Sequence, residues 1–128
     1  MMTAGQALEL AQELRPGSRV SVQTRMQWLR QLDGMLRKTL FQKSATDAFD
    51  AVGADVAWDE GLQDEDVLLV PEPFDALYPH YLCAQNDAAL GETDRYAGEQ
   101  AQYNTLYAEL ALWLRQNYPP RSRVQWRW

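Results

Sequence analysis

LGETDRYAGEQAQYNTLYAELALWLRQNYPP, residues 90–120, decides the fold. Between Thr93 and the double proline Pro119–Pro120 the residues Tyr96, Gln100, Tyr103, Tyr107, Leu110 and Leu114 step by four and three. That is the period of one face of an α-helix, and proline is its natural stop. Thr93 is placed to cap the helix. Beside the aromatic row runs a row of small residues, Ala97, Ala101, Ala108 and Ala111.

Upstream, a third helix is expected from about Pro73 to Leu90, with Phe74, Leu77, Tyr81, Ala84 and Ala88 on one face. Pro79 removes a helical N–H, so this helix either starts late or kinks. Gly91 reads as its C-terminal cap. The short Gly91–Glu92 connection makes helices three and four an antiparallel hairpin. Ala84, Ala88 and Ala89 facing the second alanine row would let the two backbones approach closely.

Two more helices precede the hairpin. One runs from about Thr3, a cap, to Arg15 before Pro16–Gly17, with Ala4, Ala7, Leu8, Ala11 and Leu14 at helical spacing. The other runs from the cap Ser21 to about Lys43 along Val22, Met26, Leu29, Leu32, Leu36 and Leu40, widened by Trp28 and Met35. The expected core is the hairpin packed on helix two, with Leu32, Leu36, Tyr81, Tyr103, Tyr107 and Leu110 buried. Residues 44–72 lack a helical period and hold nine acids. Such a long connection is usually functional or unstructured, and Ser44 to Asp66 is expected to be the most mobile part. Within it Val67–Val70 reads as a short β segment stopped by Pro71.

The last eight residues, RSRVQWRW, alternate: Arg121, Arg123, Gln125 and Arg127 on one side, Ser122, Val124, Trp126 and Trp128 on the other. Period two is a strand pattern, and a lone strand needs a sheet edge. Val67–Val70 is the internal candidate, and pairing there sets the arginines near Asp64, Glu65 and Asp66. The other version adds the tail to a neighbouring subunit or partner, with Trp126 and Trp128 filling pockets. Arg121, Arg123, Trp126, Arg127, Trp128, Asp64, Glu65 and Asp66 are therefore the interface candidates. The chain reads as one mainly α domain, 1–120, followed by an extended tail, 121–128.

With 128 residues the chain suits one ordinary domain, and 46% hydrophobic with 23% charged residues is a globular rather than a disordered balance. A single cysteine allows no internal disulfide, and the N-terminus shows no signal-peptide pattern, so the expectation is a soluble intracellular protein. The net charge of −6 is unevenly spread. Residues 1–43 carry seven basic and three acidic side chains, residues 44–109 one basic and fifteen acidic, and residues 110–128 four basic and none acidic. Unlike ends of this kind suit head-to-tail contacts between copies, because complementary potentials set register.

Motifs for chemistry are sparse. His80 and Cys83 stand at i, i+3, but no orienting group or oxyanion site accompanies them in sequence, so the pair reads as a core thiol beside an ordinary histidine. One histidine and one cysteine do not make a zinc site. Counting an EF-hand loop from Asp55 puts Ala57 at position 3 and Glu60 at position 6, where an acid and a glycine are required. No phosphate-binding glycine motif is present. The sequence thus predicts no enzyme activity, no cofactor, no metal and no sequence-specific nucleic-acid binding.

LLVPEPFDALYPHYLCAQNDAALGETDRYAGEQAQYNTLYAELALWLRQNYPP, residues 68–120, resembles the head–tail connector proteins of tailed phages and prophages, also called adaptor or head-completion proteins. The matching pieces are Leu68 to Pro73, Leu77–Tyr78, Tyr81–Leu82, Ala84–Gln85, Asp87, Gly91–Glu92, Arg95–Tyr96, Asn104, Tyr107 and the Trp113 region. The stretch WLRQLDGML, Trp28 to Leu36, resembles the group's second helix. Pro79 and the tail after Pro120 depart from the pattern. The resemblance implies a helical, four-helix connector-like subunit of the virion neck, made in the bacterial host cytoplasm. It implies a ring of about a dozen copies. Its implied partners are the portal protein and the next neck or tail-completion protein, with DNA passing through the channel and no membrane involved. An acidic surface suits such a channel, since it repels the passing polyanion. The rival reading is a small helical regulatory or inhibitor protein that binds a protein partner through its C-terminal tail.

Overall fold

The computed structural model describes residues 2–16, 19–39 and 62–117. Among them are four α-helices: α1 (Ala4–Leu14), α2 (Val22–Thr39), α3 (Leu77–Ala89) and α4 (Thr93–Asn117). A single 3-10 turn, Phe74–Ala76, leads into α3. The protein is mainly α, as its periodicities predict. No helix among the described residues is long and apolar enough to cross a membrane.

The caps explain most of the boundaries. Thr3 closes a capping box on α1: its hydroxyl accepts from the Gln6 N–H at 3.2 Å, and Gln6 Oε1 accepts from the Thr3 N–H at 3.0 Å. Ser21 Oγ accepts from the Thr24 N–H at 3.1 Å and opens α2. Gly91, at φ +75, follows α3 in a Schellman turn. The Glu92 N–H bonds to the Asp87 carbonyl at 2.8 Å and the Gly91 N–H to that of Ala88 at 3.3 Å. Pro79 produces a late start rather than a kink. It lies in the first turn of α3, where its missing N–H is one of the groups a helix leaves unpaired anyway. Thr93 is the first residue of α4 rather than its cap.

The α3–α4 hairpin carries the most extensive contact in the molecule, and α3 also packs on α1 and on α2. The core gathers Leu29, Leu32 and Leu36 of α2 and Leu68 and Val70 of the connecting segment. It adds Leu77, Tyr78 and Leu82 of α3 and Leu110 and Leu114 of α4. The alanine rows do not mesh: Ala88, Ala97, Ala101 and Ala108 face outward. Aromatic rings meet along the hairpin instead, Tyr81–Tyr103 being the pair that bridges α3 and α4. Tyr81 meets Tyr103 at a centroid distance of 5.4 Å, Tyr103 meets Tyr107 at 6.0 Å, and Phe74 meets Trp113 at 5.5 Å, all tilted. Two further expectations are corrected. Leu14, Val22 and Met35 are exposed, and Tyr81 and Tyr107 are half-buried at the edge of the core.

Val67–Val70 forms no strand and bends at Leu69. Its one β contact is an antiparallel bridge between Val67 and Thr3. The end of the acidic stretch is fixed rather than free: Leu62 is buried, the Asp66 carboxylate accepts from the Gln63 N–H at 2.7 Å, and the Asp64 and Asp66 carbonyls receive N–H groups of α1. The earlier part of that stretch, and the continuation of helix two from Leu40 to Lys43, lie outside the described residues.

Candidate functional site

The interface residues expected from sequence fall in two places. Arg121, Arg123, Trp126, Arg127 and Trp128 lie outside the described residues. Asp64 and Glu65 are exposed and Asp66 is half-buried at the N-terminus of α1. There the Ala4 N–H bonds to the Asp66 carbonyl at 2.8 Å and the Gly5 N–H to that of Asp64 at 2.9 Å. These bonds satisfy donors that the first turn of a helix leaves open. Gly5 suits the close approach: a Cβ there would stand 3.1 Å from the Asp64 carbonyl oxygen, a tight contact.

Val67–Val70 is not an open sheet edge. The Leu68 N–H bonds to the Met2 carbonyl at 2.9 Å, the Val70 N–H to Tyr78 Oη at 3.2 Å and the Leu69 N–H to Asp33 Oδ1 at 3.3 Å. The N–H groups of Leu68, Leu69 and Val70 are therefore already engaged, and the segment lacks the free ladder a pairing tail requires.

Two polar clusters emerge that the sequence reading did not single out. In the first, Asp33 is fully buried on α2. Its Oδ1 accepts from Tyr78 Oη at 2.6 Å and its Oδ2 from Arg37 Nε at 2.8 Å. Burial first, then the facing carboxylate, pushes the Tyr78 phenol well above its usual range, so it stays a donor. The signal was available: Asp33 lies on the apolar stripe between Leu29 and Leu36, four residues before Arg37.

The second cluster joins three helices. Arg15 at the end of α1 sets its guanidinium fork on Asp87 of α3, with Nε to Oδ1 at 3.0 Å and Nη2 to Oδ2 at 3.0 Å. The same Nη2 reaches Glu99 of α4 at 3.1 Å, and Glu99 Oε2 meets His80 Nδ1 of α3 at 2.7 Å. Asp87 is 1% exposed and Arg15 18%, so this is a partly buried charge network rather than a solvated pair. His80 is thus committed to Glu99. Cys83 Sγ points instead toward the Ala11 carbonyl, 3.9 Å away. Burial pushes the Cys83 thiol up to about 12, so it is not a thiolate at neutral pH. The two side chains do not form a nucleophile–base pair.

Beside this network lies an open groove. It is lined by Leu14, Arg15 and Pro16 at the end of α1, by Asn86, Asp87 and Leu90 at the end of α3, and by Glu92 and Arg95. Leu14 and Leu90 are 44% and 46% exposed. Among the described residues no group of three or more His, Cys, Asp or Glu side chains is arranged to hold a metal ion. Comparison with known protein families, with curated proteins and with solved structures found no match.

Proposed function

We propose that the chain is a structural subunit of a phage or prophage neck, a ring-forming head–tail connector between the portal protein and the next neck or tail-completion protein. The observation that carries this reading is the place of the residues that bear the resemblance. Leu68, Leu77, Leu82 and Ala84 are core residues, Tyr78 donates to buried Asp33, Asp87 receives Arg15, and Gly91 makes the turn between α3 and α4. These roles hold a scaffold together, which is what a subunit valued for its surfaces needs. The uneven charge along the chain supports contacts between unlike faces, the kind that close rings.

Co-sedimentation with purified portal protein tests the reading. The expected result is a complex carrying about a dozen copies of the chain per portal ring. Binding to a regulatory protein with no affinity for portal would instead favour the small-regulator reading.

A further inference from the structure

We draw no further inference here: the strongest candidate, the narrow cavity between α1, α2 and α3 lined by Arg25, Cys83 and Asn86, has a volume of about 10 Å³, room for a single water at most, and nothing in the structure shows what would occupy it.

Discussion

Asp33 and Tyr78 show how one buried charge is made tolerable. A carboxylate removed from water is costly unless its oxygens are occupied. Here the Arg37 guanidinium, the Tyr78 hydroxyl and the Leu69 N–H occupy them. Tyr78→Phe removes one donor and also strands the Val70 N–H, so it should cost about 1–3 kcal/mol. Asp33→Ala removes the shared acceptor of the Tyr78 hydroxyl, the Leu69 N–H and the Arg37 Nε together and should cost more. Urea denaturation of both variants checks the order, and the reverse order would mean that the tyrosine rather than the acid anchors the cluster. Cys83 gives a second measurement. Its thiol is raised from 9.0 to about 12 chiefly by burial, so the folded state keeps a proton that the unfolded state loses. The thiol therefore lowers native stability as pH rises from about 9 toward 12 and not below that window. At pH near 8 iodoacetamide should label the native chain at least about a hundredfold more slowly than the unfolded chain. Equal rates would place the thiol in solvent.

Among the elements, the turn between α3 and α4 has the sharpest sequence requirement. Gly91 sits at φ +75 with nothing within 4 Å of where a Cβ would be, so a substitution there meets conformational strain alone. Gly91→Ala should cost about 1 kcal/mol, and Gly91→Asn less, because asparagine tolerates the left-handed region. Thermal melts of the two variants decide: a larger loss for Asn would point to a contact rather than to backbone strain. The helices, the Thr3 and Ser21 caps and this turn were legible in the sequence because capping and periodicity are local properties. The leucines of α2 and the Tyr103, Leu110, Leu114 row were legible for the same reason. What faced what was not. The alanine rows looked like a close helix crossing, yet of them Ala84 is buried while Ala97, Ala101 and Ala108 lie outside, and Tyr81 and Tyr103 meet between α3 and α4. The partners of Asp33, Asp87 and Glu99 were not legible, because nothing local shows that Tyr78 and Arg15 arrive from distant parts of the chain. The groove was invisible for that reason too: its walls come from residues 14–16 and 86–95.

Across the whole molecule, α1 is held in an unusual way. The residues it fully buries are Ala4, Ala7 and Ala11, which remove little apolar surface from water. Polar contacts at its two ends supply much of the attachment. At the front, the Ala4 and Gly5 N–H groups bond to the Asp66 and Asp64 carbonyls, and the Leu68 N–H to that of Met2. At the rear, Arg15 joins Asp87 and Glu99. The front contacts tie α1 to the connecting segment, whereas at the rear a charge network fastens its end to the α3–α4 hairpin beside the packing of Ala11 on Cys83. Arg15→Ala strands the buried Asp87 carboxylate, and an arginine that is itself partly exposed sets the expected loss at about 3 kcal/mol or less. Arg15→Lys restores the charge but not the two-pronged fork and should recover part of that loss. Native-state hydrogen exchange reads the consequence. In the wild type the amides of the last turns of α1 should open together with those of α3. In Arg15→Ala they should open at a lower free energy than α3, as a separate cooperative unit, while Ala4 and Gly5 keep their protection. If the end of α1 in that variant still exchanges only with α3, the alanine face suffices to hold the helix and the charge network is not its anchor.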